Sequence, residues 1–105
     1  MDLNQGKIHL MIRNKDKIFF SEDVKAVTSY NDKGVFDVLP RHANFISMII
    51  KGIIIHKFDR TRETFPIKIG GVMKVKDNTV SCYIDLSALD STTIKDAIQP
   101  GATKS

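Results

Sequence analysis

The chain's 105 residues and 11.8 kDa allow one domain with one hydrophobic core, and a composition of 42% hydrophobic and 27% charged residues excludes a disordered chain. A net charge of +4 invites a nucleic-acid partner, but the positive residues are strung along the sequence and alternate with acids, as in Asn14-Lys15-Asp16-Lys17 and Asp59-Arg60-Thr61-Arg62, the pattern of solvated loops. The lone Cys82 excludes an intramolecular disulfide, and no stretch approaches the ~18 apolar residues of a membrane span. Met1 to Leu10 also lacks the apolar block of a secretory signal, so a reducing compartment is expected, with any membrane association made through another protein.

From Lys7 to Asp85 the pattern is period-two alternation or short apolar runs broken by turn residues. Ile8, Leu10 and Ile12 alternate with His9, Met11 and Arg13; a turn at Asn14-Lys15-Asp16 leads into Lys17 to Ser21, so the two segments form a hairpin candidate. Val24, Ala26, Thr28 and Tyr30 are expected on one face of a third strand, ending at Asn31-Asp32-Lys33-Gly34, where Asn, Asp and Gly supply turn geometry. Val35 to Leu39 resumes as a fourth strand until Pro40, which donates no ladder hydrogen bond. Phe45 to Ile50 and, after Gly52, Ile53 to Phe58 are expected as two central strands.

Phe65, Ile67 and Ile69 are placed on one face of the following strand, and Gly70-Gly71 marks a bulge or a close approach of backbones. Val72 to Lys76 and Thr79 to Asp85, joined by Asp77-Asn78, make the last hairpin. The expected fold is mainly β: a two-sheet β-sandwich of about ten short strands over residues 1–86, with a closed barrel as the alternative. Residues 87–105 form a tail containing a short C-terminal helix near Ser91 to Ile98, stopped by Pro100-Gly101.

No constellation in the sequence supports catalysis. His9, His42 and His56 are far apart and none has a metal-ligand spacing; Cys82 alternates with Val80 and Ile84 and reads as a buried, inert thiol. Ile69-Gly70-Gly71 lies between strands and lacks a Walker lysine, so no nucleotide cradle follows. Asp37, Glu22, Asp23 and Asp85 are available acids that nothing in the sequence pairs. The expectation is no catalytic, metal or nucleotide site and no cofactor.

The segment Gly34-Val35-Phe36-Asp37-Val38-Leu39-Pro40-Arg41-His42-Ala43-Asn44-Phe45 resembles the central motif of the epsilon subunit of rotary F-type ATP synthases: a glycine turn, a short apolar strand, then Leu-Pro-x-His-Ala. Lys17 to Thr28 is similar to that family's early hairpin, Lys51-Gly52-Ile53-Ile54-Ile55 to its next strand start, and Ile69-Gly70-Gly71-Val72-Met73-Lys74-Val75 with Asn78-Thr79-Val80 to its last hairpin. These fragments keep the family's order from about Lys7 to Asp85. The resemblance implies a non-catalytic central-stalk subunit of a proton- or sodium-translocating ATP synthase, carried on the cytoplasmic face of a bacterial cell membrane. Its implied partners are the gamma subunit and the membrane rotor-ring (c) subunits, with the catalytic alpha/beta head as a further partner and no nucleic acid among them.

Carried onto this sequence, the resemblance places the rotor-ring contact at Asp32, Lys33, Gly34 and Val35 together with Arg41, His42 and Ala43. The family commonly has Gly where Asp37 stands, and some members carry an acid where this chain has Val35, so Lys33 or Arg41 is expected to supply a charge of opposite sign. Only about twenty residues follow Asp85, too few for the family's two-helix hairpin at ~1.5 Å per residue, so neither ATP sensing nor hairpin inhibition is expected. The alternative function is a basic β-barrel that binds single-stranded nucleic acid between aromatic platforms.

Overall fold

The computed structural model describes residues 6–85, all of which form β-structure, turns or connections, with no helix among them. Eight strands follow one another: β1 (Ile8–Arg13), β2 (Ile18–Val24), β3 (Ala26–Asn31), β4 (Gly34–Val38), β5 (Phe45–His56), β6 (Arg62–Pro66), β7 (Gly71–Lys76) and β8 (Thr79–Ile84). They run β2-β1-β8-β7-β5-β3-β4, with β6 added to β5, and every pairing is antiparallel except β1 with β8. The expected tail 87–105 and its helix lie outside the described residues.

The count is eight rather than about ten, chiefly because Phe45 to Ile50 and Ile53 to Phe58 are one strand that belongs to two sheets. The first half of β5 pairs with β7, from Phe45 opposite Val75 to Ile49 opposite Gly71. The second half pairs with β3 and β6, from Ile53 opposite Ser29 and Phe65 to His56 opposite Ala26 and Arg62. Between them the register slips, because Ser29 and its neighbour Tyr30 face Ile53 and Ile50, which leaves Lys51 and Gly52 as extra residues. Lys51 takes a left-handed φ of 70°, so the strand bulges and bends there. The carbonyls that the bulge turns away from the ladder are both satisfied: Ser29 Oγ donates to the Gly52 carbonyl at 2.7 Å, and the Ile67 N–H donates to that of Lys51 at 3.0 Å.

Side-chain alternation fills the space between the two sheets. Ile8, Leu10 and Ile12 from β1, Val80, Cys82 and Ile84 from β8, and Met73 and Val75 from β7 meet Val27, Val38, Ile53 and Ile55 from the other sheet in one core cluster. Burial of Cys82 raises its thiol pKa far above the ordinary range, which keeps it protonated and unreactive.

Two expected strands end differently. Val24 closes β2, and Lys25 carries the chain across to the other sheet, its N–H donating to the His56 carbonyl at 2.9 Å. The crossing changes the parity, so Val24 and Val27 face the core instead of Val24, Ala26 and Tyr30 sharing one face. The strand expected to hold Phe65, Ile67 and Ile69 stops at Pro66. Asp85 then draws the chain into a turn, its Oδ1 accepting from the N–H groups of Lys68 at 2.8 Å and Ile69 at 3.1 Å, which leaves Ile69 exposed.

The glycine pair divides its labour. Gly70 has a φ of 122°, whereas Gly71 lies so close to β8 that a Cβ there would stand 2.3 Å from the Tyr83 carbonyl oxygen. Gly71→Ala must separate β7 from β8. The expected cost is about 2 kcal/mol or more, read as a lower urea midpoint with the m-value unchanged; a midpoint equal to that of the parent would refute the close approach.

Candidate functional site

The bend in β5 splays the tip of the β3–β4 hairpin away from the first half of β5, and an open groove lies between them. Ile46, Met48 and Ile50 alternate along β5 with exposures of 41%, 59% and 42% and form its apolar floor. Phe45 closes one side, with the Phe36 ring edge-on at 5.8 Å and the His42 ring at 5.1 Å. Asn31, Asp32 and Lys33 form the polar end, where Asn31 Nδ2 donates to Ser47 Oγ at 3.2 Å and bridges the hairpin to β5.

The hairpin tip is shaped by its sequence. Asn31 Oδ1 accepts from the Lys33 N–H at 2.9 Å, and Gly34 takes a φ of 124° in open space, so glycine is required there for its backbone conformation alone. The other rim begins with the turn Leu39 to His42, closed by the His42 N–H donating to the Leu39 carbonyl at 3.1 Å. Proline second and a left-handed residue third, Arg41 with φ 65°, is the pattern of a type II turn, which ordinarily takes glycine at that third place. A non-glycine residue there costs roughly 1–2 kcal/mol.

That conformation is held from outside. Asp77 and Asn78, with φ of 51° and 62°, form the tight β7–β8 hairpin turn, and Asn78 Oδ1 accepts from the Arg41 N–H at 2.6 Å. Asn44 Oδ1 returns the contact by accepting from the Asp77 N–H at 3.1 Å. Two asparagines thus clamp the Leu39 to Asn44 segment to a hairpin from the far end of the sequence. His42 Nδ1 lies 2.9 Å from the Ala43 carbonyl and donates to it, which fixes the ring beside Phe45.

Of the seven residues expected at this site, Asp32, Lys33 and His42 line one groove. Gly34 and the 64%-exposed Val35 stand on the hairpin beside it, while Arg41 and Ala43 form the turn behind His42. Asp37, the departure from the family pattern, accepts the Thr28 hydroxyl proton at 2.5 Å. His56 Nε2 lies 2.7 Å from the same oxygen; because the carboxylate only accepts, the hydroxyl proton goes to Asp37 and His56 Nε2–H donates.

A second polar cluster has the hydrogen-bond order of a nucleophile relay. His9 Nδ1 donates to Asp23 Oδ1 at 3.0 Å, and Ser21 Oγ lies 3.1 Å from Nε2. It sits on the exposed outer surface of the β1–β2 pair and does not line this groove. Its chemistry is acid–base stabilisation: the hydrogen bond from His9, and then the Lys7 ammonium at 3.4 Å, hold the Asp23 carboxyl below its ordinary 3.8.

Residues 7–86 match the family described as ATP synthase, Delta/Epsilon chain, beta-sandwich domain. The chain belongs to the ATP synthase delta/epsilon family. Among its relatives, the ATP synthase epsilon chain of Sulfurovum sp. (strain NBC37-1) is 35% identical over 77 residues, 72% of this chain and 59% of that protein. That of Campylobacter fetus subsp. fetus (strain 82-40) is 35% identical over 79 residues, 74% and 60% of the two chains. The chain therefore spans about three-fifths of the length of these relatives. A chain in the structure of the Euglena gracilis mitochondrial ATP synthase, OSCP/F1/c-ring in rotational state 1, superposes with a TM-score of 0.70 over 92% of this chain and 69% of its own, at 18% identity, a likeness of fold.

For a delta/epsilon-family sandwich, two parts of this site escaped the sequence. Asn44 and Asn78 read only as a loop residue and a turn residue, since side-chain contacts across 33 and 37 positions leave no periodic signal. The apolar floor of Ile46, Met48 and Ile50 was indistinguishable from core until the bend gave that face to solvent.

Removing the clamp by Asn78→Ala is expected to cost about 1 kcal/mol and to speed hydrogen exchange at the Arg41 amide while leaving the β3 amides unchanged. For the Asp23 cluster, a folded-state pKa below the unfolded one gives stability that is complete above the ordinary 3.8 and lost as pH falls through the lower folded value. Asp23→Asn should therefore flatten the acid limb of the thermal-midpoint profile; an unaltered limb would show that the cluster contributes nothing.

Proposed function

We propose that the chain is a non-catalytic central-stalk subunit of an ATP synthase that seats against the gamma subunit and the membrane rotor ring and helps couple ion flow to ATP synthesis in other subunits. The supporting observation is the convergence of the family motif and the β3–β4 turn on one groove, with the loop between β4 and β5 clamped in a conformation it would not hold unaided. As such a subunit it is peripheral to the membrane, carried there by the complex on its cytoplasmic face, and has no active site of its own.

The two halves of the groove suit two kinds of contact. The exposed floor of Ile46, Met48 and Ile50 is an apolar strip on an otherwise alternating sheet, the kind of surface that a partner subunit covers. The polar end and rim, with Asp32, Lys33, Arg41 and His42, give register against the polar loops of the rotor ring more than affinity. Against the nucleic-acid reading, Phe19, Phe20, Phe36, Phe45 and Phe65 pack against the core, and Phe58 is the one phenylalanine that is largely exposed, which is not the row of exposed aromatic faces on which successive bases stack.

His42→Ala is expected to loosen coupling of ATP hydrolysis to ion pumping in the assembled complex while shifting domain stability by no more than about 0.5 kcal/mol. Lys33→Glu with Arg41→Glu should weaken co-purification with the ring and leave that with gamma intact. A chain that fails to capture gamma in a pull-down, or a double variant that holds the ring as well as the parent does, would count decisively against this reading.

A further inference from the structure

A second cleft of about 570 Å³ opens beside the end of β4, lined by Ala26 and Thr28, by Leu39 and Pro40 on one side, and by Lys57, Arg60, Thr61 and Arg62 on the other. Four cations line it: Lys25, Lys57, Arg60 and Arg62. The acids nearby are already committed. Asp37 accepts from Thr28, Glu63 pairs with Lys57 at 2.9 Å, and Asp59 Oδ1 accepts both the N–H and the hydroxyl of Thr61. Lys25, Arg60 and Arg62 are left with no ion pair among the described residues, all three exposed.

The wall that carries these cations is built in advance. The Lys57 N–H donates to the Thr61 carbonyl at 3.0 Å, the Arg60 N–H to the Lys57 carbonyl at 3.2 Å, and Arg60 is held at a left-handed φ of 72°. Both hydrogen bonds from Thr61 turn the Asp59 carboxylate into its own loop, and they hold its pKa below the ordinary value. Opposite stands an apolar wall, with Leu39 56% exposed beside Pro40. A lone inorganic anion would fill a small part of the cleft and would face the Asp37 carboxylate. An extended peptide can place carboxylates on the guanidinium side and an aliphatic side chain on Leu39 and Pro40 at once.

We infer that this cleft is a docking site for an acidic segment of a partner protein, carboxylates on Lys25, Arg60 and Arg62 and an aliphatic residue against Leu39. It lies apart from the groove lined by His42 and does not depend on the stalk reading. Only Asp37 lines both clefts, and its carboxylate is held by Thr28.

The test uses the full chain and a fluorescent peptide of alternating Glu or Asp and Leu, with a control peptide in which every acid is replaced by its amide, followed by anisotropy. The acidic peptide is expected to bind, the amide peptide about tenfold or more weaker, and affinity to fall as salt rises. Arg60→Glu with Arg62→Glu should weaken binding about tenfold or more, whereas Lys33→Glu, in the other groove, should leave it unchanged. If the double arginine variant loses its thermal transition, Lys25→Glu serves in its place. Equal affinity for the two peptides, indifference to the cleft variants, displacement by an equimolar amount of inorganic phosphate, or no binding at millimolar peptide would each overturn the inference.

Discussion

The bulge at Lys51 and Gly52 is the constraint from which the remaining architecture follows. A strand of twelve residues cannot lie flat in one twisted sheet and also serve a second, and two residues that have no partner in β3 provide the bend. The cost of turning two carbonyls out of the ladder is offset by Ser29 Oγ and the Ile67 N–H, one of them wholly buried. Because β5 is shared, the two sheets are connected through their core as well as around it. The splay that follows exposes Ile46, Met48 and Ile50, so a backbone irregularity and an exposed apolar strip have one cause.

The candidate stalk contact illustrates a general economy of small β proteins. Its loop is short and carries a left-handed arginine, a conformation that a free peptide would abandon. Rather than rigidifying the loop internally, the fold borrows Asn78 from the β7–β8 turn and lends Asn44 in return. The loop and the hairpin that holds it in position are therefore 33 and 37 residues apart in the sequence, and the loop is only as well defined as the closure of the sheet that joins them.

Much of the fold was legible because period-two alternation is a direct record of burial. Ile8, Leu10 and Ile12, and Val80, Cys82 and Ile84, are each essentially inaccessible, as their spacing requires. The misreadings fall where a local rule met a nonlocal one. Gly52 looked like a strand break and is a bend within a strand; Val24 looked like the start of a strand and ends one, because the chain changes sheets at Lys25. Ile69 alternates properly with Phe65 and Ile67 but is captured by Asp85, a contact with no trace in the intervening residues. At the site, the turn at Asn31 to Gly34 and the Leu-Pro-x-His motif were readable, and the family resemblance grouped His42 with Asp32 and Lys33; the asparagine clamp and the partner found for Asp37 depended on topology.

The parallel pairing of β1 with β8 has an implication for how such a chain comes into being. His9 lies opposite Thr79, so the first described strand finds its second neighbour only in the last. A polypeptide emerging from the ribosome N-terminus first can form the β1–β2 and β3–β4 hairpins early, yet the inner edge of β1 stays open until some seventy further residues have been made. Biosynthesis thus leaves an apolar strand of Ile8, Leu10 and Ile12 waiting until β8 has been made.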